Sequence, residues 1–151
     1  FEGTRVFLVE IQALTVPAKA SLSRVYSDKI ESARVSRVAA VLEKRLGLCF
    51  SDQDLYINVA GGVRLTESAI DLALAMALFS ARSDKALPEK AVFIGELSLA
   101  GEIRPVDRTS QRIKAALSMG FSKVFCNILE PKEKNIECIN LTKIKEITSV
   151  L

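Results

Sequence analysis

Apolar and polar residues along the chain repeat with two different periods, which predict strands and helices in alternation. The run over 5–14 is aliphatic and β-branched with few polar breaks, so we expect a strand that is buried on both faces. Residues 96–106 alternate around Ala100 and Gly101, which predicts a hairpin with its turn at that pair. Further strands are predicted over 21–26, 54–60, 91–95, 123–127 and 136–141.

Helical spacing of apolar residues predicts four helices. The first covers 32–46, with Ser32 as its cap and Gly47 as its end. A second helix over 67–81, capped by Thr66, is apolar nearly all round and is therefore expected at the centre of the fold. Two shorter helices are predicted over 108–119 and 143–150. Strands mixed with helices in this order predict a mixed α/β domain of two or three layers.

Composition narrows the possible chemistry. The chain has 151 residues, of which 49% are hydrophobic and 26% charged, as is typical of one folded domain. It has no histidine, which excludes a histidine-based catalytic triad and a histidine metal site. Cys49, Cys126 and Cys138 lack metal-binding spacing, so we expect free thiols and no metal. Neither a membrane-spanning run nor a signal peptide is apparent, which favours the cytoplasm and no membrane partner.

Positive charge is concentrated in two segments of a chain whose net charge is +3. Residues 24–45 hold six basic and three acidic side chains, and residues 101–125 hold five basic and two acidic ones. In the helix over 32–46, the angle of about 100° per residue places the cations opposite the apolar stripe, with Val41 among them. Asp71 is the one charged residue in the apolar helix and is expected to need an arginine or backbone partner.

Residues 61–72 and 95–106, the latter followed by a basic helix, resemble the proteolytic domain of Lon-type proteases. Those enzymes use a serine that a lysine activates. Alignment on the apolar helix places Ala69 at the serine position, and alignment of 107–112 places Ser110 at the lysine position. The resemblance therefore implies a Lon proteolytic-domain fold, of the ribosomal protein S5 domain 2-like type with a mixed sheet and packed helices, without its catalytic dyad. A residual hydrolase built on Ser68 and Lys114 is the enzymatic alternative.

Residues 2–5, 8–14, 40–45, 58–62 and 101–106 resemble the C-terminal domain of the RadA (Sms) family of bacterial DNA repair and recombination proteins. The resemblance implies one Lon-like domain over 1–151, a C-terminal piece without the zinc-finger and RecA-like ATPase domains of that family. ATP, magnesium and zinc would be bound only by those other domains, and this one would hold no cofactor. The family further implies a homo-oligomeric, hexameric ring, single-stranded or branched DNA, ATP-dependent branch migration, and the RecA recombinase as a partner.

These implications fit the distribution of charge, since cations that neutralise phosphates release counterions. We predict two DNA-contacting stripes without catalytic residues and without base stacking, because no aromatic residues interleave with the cations. A basic face that is merely solvated, or paired with acidic residues, is the simpler reading, and a purely structural oligomerisation domain is a further alternative. The stripes are Arg34, Arg37, Lys44 and Arg45, and Arg104, Arg108, Arg112 and Lys114.

Overall fold

The computed structural model describes residues 1–151 and confirms the mixed α/β class. Its first sheet has the strand order β1-β3-β2, in which β1 runs antiparallel and β2 parallel to the central strand. Leu14, Tyr56 and Tyr26 occupy one row across these three strands. The strands are β1 (Ile11–Pro17), β2 (Val25–Ser27) and β3 (Gln53–Val59).

A second sheet and a hairpin complete the β structure. The sheet is entirely parallel and consists of β4 (Ala91–Phe93), β7 (Lys123–Cys126) and β8 (Glu137–Asn140), with β7 in the middle. Between β4 and β7 in sequence lies the predicted hairpin of β5 (Glu96–Leu97) and β6 (Ile103–Arg104), which are antiparallel. Its turn depends on Gly101, whose φ of 84° is left-handed and whose N–H donates to the carbonyl of Ser98 over 3.0 Å.

The first helix has the predicted bounds, but its start differs in detail. Helix α1 ends at Gly47, whose φ is 71° and whose N–H donates to the carbonyl of Glu43. The prediction that Ser32 caps it is wrong, because Glu31 occupies the cap position and no side chain bonds there. The helices are α1 (Ser32–Leu46), α2 (Asp71–Ser83), α3 (Thr109–Ser118) and α4 (Ile147–Val150), with 3₁₀ turns at Ser68–Ile70 and Ile144–Glu146.

Helix α2 lies at the centre of the fold, as predicted from its apolar circumference. Leu72, Leu74 and Met76 are fully buried in a core of 23 residues that also includes the inner faces of α1 and β3. A smaller cluster lies between α3 and the parallel sheet, where Ile113 and Ala116 pack near Val124. Alternate residues of the parallel sheet lie in the two clusters, Phe125 in the larger and Val124 in the smaller, so both faces of that sheet are covered.

Three sequence predictions about local structure are wrong. The ladder of β1 begins at Ile11 rather than near residue 5, and Leu14 is 57% exposed because no element covers the outer face of this sheet. The helix predicted from 67 begins at Asp71, since Glu67 is still extended with ψ of 141° and Thr66 caps nothing. Val41 is buried rather than part of a basic face, because α1 is also covered by the turn Ile144–Glu146.

Candidate functional site

The position that the Lon resemblance assigns to the serine borders a small hollow. This hollow has a volume of about 280 Å³ and lies between the turn Ser68–Ile70, strand β5 and the loop before α3. Ala69 contributes a methyl group to its wall, and Ser110 on α3 is half-buried and does not line it. Throughout the chain, no serine hydroxyl hydrogen-bonds with a lysine ammonium. The lining residues are Glu67, Ser68, Ala69, Glu96, Pro105, Val106, Asp107 and Arg112.

Arg112 on α3 lines one side of this hollow, and its guanidinium forms ion pairs with carboxylates of the same chain. Its side chain is 9% exposed, and its two terminal nitrogens donate to the Glu67 carboxylate over 3.1 and 3.3 Å. The same guanidinium donates to Asp107, to the carboxylate over 3.1 Å and to the backbone carbonyl over 3.0 Å. All three nitrogens of the guanidinium therefore donate to partners within the chain, which leaves it unsuited to a phosphate.

Arg112 affects the pKa of the two carboxylates beside it, Glu67 and Asp107. Burial by itself would raise the pKa of Glu67, but the hydrogen bonds and the positive charge of Arg112 oppose burial, and the pKa is lowered. The hydrogen bond from Arg112 also lowers the pKa of Asp107. The ring of Phe1 lies under the guanidinium of Arg108 at 3.6 Å. The hollow is thus lined by an ion-pair cluster that connects Glu67 to the start of α3, with the Phe1 ring packed against it.

Arg34 on α1 is likewise bound inside the molecule. It donates to the backbone carbonyls of Glu67 over 2.7 Å and Thr66 over 3.1 Å, which holds this segment in its extended conformation. Its nitrogen also lies 3.8 Å from Oδ1 of Asp71, an oxygen that is buried without a hydrogen bond. The other oxygen of Asp71 accepts the Leu97 N–H over 3.1 Å. Asp71 thus has the two kinds of partner that the sequence predicted.

Burial raises the pKa of Asp71, although the Leu97 N–H and the Arg34 charge oppose this effect. The carboxylate lies at the first residue of α2, where it connects that helix to strand β5. It is therefore a structural link between the core helix and the hairpin.

The remaining predicted cations are exposed. On α1, Arg37, Lys44 and Arg45 lie on the surface. Arg45 meets the hairpin turn, because a Cβ atom at Gly101 would lie 2.9 Å from its Cγ. Arg104 on β6 is exposed, with Glu102 at 3.8 Å. The first and second predicted stripes therefore approach each other where α1 reaches the hairpin.

Arg108 and Lys114 are also exposed, but each has a local acidic partner. Arg108 adopts the left-handed region with φ of 52°, and its Nε lies 3.3 Å from the Asp107 carboxylate. The ammonium of Lys114 lies 4.0 Å from Glu133. Exposed pairs of this length contribute little to stability, so both side chains can change partners.

Two lysines that the sequence analysis did not select lie beside the same hairpin. The turn Ile144–Glu146 is attached to it by a hydrogen bond from the Ile144 N–H to the Gly101 carbonyl of 2.8 Å. The backbones of Lys143 and Glu102 form an isolated antiparallel β-bridge, and the side chains of Lys143 and Lys145 are exposed. Nothing in the spacing of the sequence indicates this proximity, because these lysines lie about a hundred residues from Arg45 and are joined to it only through tertiary contact.

The remaining candidates are a metal site, reactive cysteines and a membrane-spanning helix, and the structure shows none of these features. No group of three or more cysteine, aspartate and glutamate side chains could hold a metal ion. The three cysteines are unpaired, and burial raises the pKa of the Cys126 thiol to about 12. None of the helices is both long enough and apolar enough to cross a membrane.

Comparison with known proteins identifies the family. Residues 9–129 match the protein family model ChlI, described as subunit ChlI of Mg-chelatase. The chain is 65% identical over 127 residues to the DNA repair protein RadA of Treponema pallidum, which covers 84% of this chain and 28% of that protein. It is 43% identical over 152 residues to RadA of Streptococcus pneumoniae, covering 97% of the chain and 36% of that protein.

The chain therefore belongs to the ChlI family, because the family model covers most of its length. Within that family it is a RadA-type domain, which confirms the resemblance found in the sequence. A third relative, RadA of Listeria monocytogenes, is 47% identical over 124 residues. The chain spans 27% to 36% of the length of these three relatives.

One prediction follows from the composition of the hollow. A fluorophosphonate that labels activated serines is expected not to react with Ser68, because no lysine or other base bonds to that hydroxyl. Mass spectrometry of the treated chain measures the adduct, with an active serine protease in the same tube as a positive control. Labelling that disappears in Ser68→Ala would contradict this account and restore the hydrolase alternative.

Proposed function

We propose that this chain is a non-proteolytic, Lon-like domain of a RadA-type DNA repair protein, which contacts the DNA backbone and takes part in ring assembly. The observation that carries the proposal is the meeting of three cationic segments at the Gly101 turn. We call the resulting surface the basic face. It consists of Arg37, Lys44 and Arg45 of α1, Arg104 of β6, and Lys143 and Lys145 beside the last 3₁₀ turn.

The chemistry of the basic face suits phosphates. Arg37 and Lys44 are seven residues apart and point in nearly the same direction from α1. Two carboxylates lie nearby: Glu146 is engaged by hydrogen bonds from Thr142 and from the Lys143 N–H, and Glu102 lies 3.8 Å from Arg104, an exposed pair that a phosphate can replace. No aromatic side chain lies among these cations in sequence, so contact would be to the sugar-phosphate backbone with little preference for base sequence.

The hollow supports the non-proteolytic part of the proposal. Where the resemblance calls for a serine and a lysine, the chain has Ala69 and Ser110. The space beside Ala69 holds the guanidinium of Arg112 in a cluster with Glu67 and Asp107. Arg34 and Arg112 both support this cluster from inside, so we leave them out of the proposed DNA-contacting set. Arg108 and Lys114 stay in it as secondary contacts.

Ring assembly is the second candidate role, and one surface favours it. The row Leu14, Tyr56 and Tyr26 on the outer face of the first sheet is 57%, 41% and 42% exposed. Exposed tyrosine side chains are enriched at protein interfaces. We propose that a second copy of the chain covers this row in a hexameric ring. ATP, magnesium, zinc and any RecA contact would then belong to the rest of a longer RadA-type protein.

Direct binding measurements test the proposal. Fluorescence anisotropy with labelled single-stranded, duplex and branched DNA of random sequence should show binding that weakens steeply with salt. A logarithmic slope of about −3 to −5 is expected if four to six phosphates are contacted. Size-exclusion chromatography with light scattering of the same samples reports the ring. Absence of DNA binding in samples that form oligomers would leave only the structural role.

A further inference from the structure

A large apolar groove borders the turn Ser68–Ile70 at Ala69 and Ile70. Its volume is about 1100 Å³, and 21 of its 30 lining residues are hydrophobic, which makes it unsuitable for DNA. One wall is the segment 6–13, which includes the start of β1, and another is strand β4. Helix α2 contributes Ala73, Ala77 and Ala81, which are spaced by four residues and lie on one side of the helix.

The first wall carries a run of unpaired backbone. Residues Val6, Phe7, Leu8 and Val9 form no backbone hydrogen bonds, and the ladder to β3 resumes only where the Ala60 N–H donates to Glu10. Their burial alternates in the manner of a strand, with Phe7 51% and Val9 37% exposed and the other two half-buried. An extended segment with free N–H and C=O groups is a template for an added strand.

The second wall is also a free strand edge. Strand β4 pairs only with β7, so its other side has no neighbouring strand. Apart from the ladder to β7, Ala91 and Phe93 take part in no backbone hydrogen bond. Two strand edges that lack partners therefore border one groove, and each presents backbone donors and acceptors to its surroundings.

We propose that this groove binds an extended strand of a different protein by strand addition. The bound segment would be uncharged, with β-branched or aromatic residues at alternate positions. Four unpaired residues extend over about 13 Å, a length that a peptide backbone can match bond for bond. The small alanine side chains of α2 leave room for its inward side chains. The lining residues from α2 and β4 carry no charge, so the guest side chains that face these two elements should be uncharged.

A defined peptide tests the proposal on the 151-residue chain. The probe is an acetylated and amidated hexapeptide in which valine and threonine alternate. Its matched control carries methyl groups on alternate backbone nitrogens, which removes strand donors and leaves the side chains unchanged. We expect the probe to shift the NMR amide signals of residues 6–9 and 91–93, with a Kd of about 0.1 to 1 mM. The methylated peptide should bind at least about tenfold more weakly.

A variant of the groove wall gives a second readout. Ala77→Leu narrows the groove and should raise the Kd of the probe at least about tenfold, because the leucine side chain then occupies space that the bound peptide needs. Ala40→Leu makes the same change at an exposed position of α1 and should leave the Kd unchanged. Circular dichroism reports whether each variant folds. If Ala77→Leu does not fold, the comparison of the two peptides on the unchanged chain decides.

Several results would overturn the inference. One is the absence of amide shifts in residues 6–9 and 91–93 up to about 2 mM probe. Another is equal affinity for the two peptides, because the backbone edges would then contribute nothing. Shifts in residues 6–9 that depend on protein concentration without peptide would show that a second copy occupies the groove. Displacement of the probe by random-sequence DNA would show that the groove belongs to the DNA surface.

Discussion

Replacing Arg37, Lys44 and Arg45 together by glutamine is expected to weaken DNA binding by about 10- to 100-fold near 0.1 M salt. The physical reason is the loss of three cations that, on this account, release counterions from three phosphates. Each lost contact would by itself cost somewhat less than tenfold at this salt concentration, and glutamine keeps some hydrogen bonding. All three side chains are exposed on α1, so the substitutions should leave the fold intact. Anisotropy of labelled DNA measures the change.

The matched control removes the same charge elsewhere. Lys19, Lys85 and Lys132 are exposed residues outside the basic face, and their joint replacement by glutamine changes the net charge by the same amount. We expect the control to lose no more than about threefold in affinity, because distant charges are screened in salt. Equal losses in the two triple variants would show that total charge, and no particular surface, governs binding.

Arg112→Met is expected to lower the free energy of unfolding by about 2 to 3 kcal/mol at neutral pH. Methionine keeps most of the volume but leaves the Glu67 carboxylate, which is only 32% exposed, without its bidentate partner. Removal of one member of a well-buried pair costs more, and the partial exposure of Glu67 reduces the effect here. Urea denaturation followed by circular dichroism measures the difference. Lys114→Met on the exposed side of α3 is the control and should cost less than about 0.5 kcal/mol.

The pH dependence of this loss is a stricter test. In the folded chain the pKa of both Glu67 and Asp107 lies below the ordinary value. Their ionised forms therefore stabilise the folded chain at pH values above the unfolded-state pKa of about 4. That contribution disappears as the pH falls through the folded pKa. The unchanged chain should therefore lose more stability between about pH 5 and pH 2 than Arg112→Met, and the two curves should converge. A difference in free energy of unfolding between the two chains that stays constant across this pH range would show that Arg112 acts through packing alone.

Local patterns account for the parts of the fold that the sequence predicted well. The span of α1 follows from one apolar stripe and from Gly47, which can adopt the left-handed end. The central position of α2 follows from a circumference with almost no polar side, and the hairpin follows from alternation around Gly101. Each of these features depends on neighbours within one element, which is the information that periodicity contains.

The proposed DNA-contacting surface depends on contacts between segments that are distant in sequence. Arg34 and Arg112 looked like surface cations, and only the folded chain shows that Glu67 draws both inward, through its carbonyl and its carboxylate. Lys143 and Lys145 joined the basic face through a turn that packs on the hairpin. Helical angles give directions around one helix, and they do not tell which direction another segment will cover.

The aromatic residues give a second example of tertiary placement. Tyr26 and Tyr56 are thirty residues apart in sequence, yet their rings stack at 4.6 Å on the open face of the first sheet. The parallel pairing of β2 with β3 brings them together. The run 6–9 also reads as a strand, but no strand pairs with it, because pairing is decided by the whole sheet.

The salt dependence of DNA affinity tests the central claim most directly. The slope of log Kd against log salt concentration is measured for the chain and for the variant of Arg37, Lys44 and Arg45 under identical conditions. If these side chains contact phosphates, the slope should become shallower by about 2 to 3, one unit for each lost contact. Slopes that agree within error, with or without a loss of affinity, would contradict the assignment of the basic face as the DNA-contacting surface.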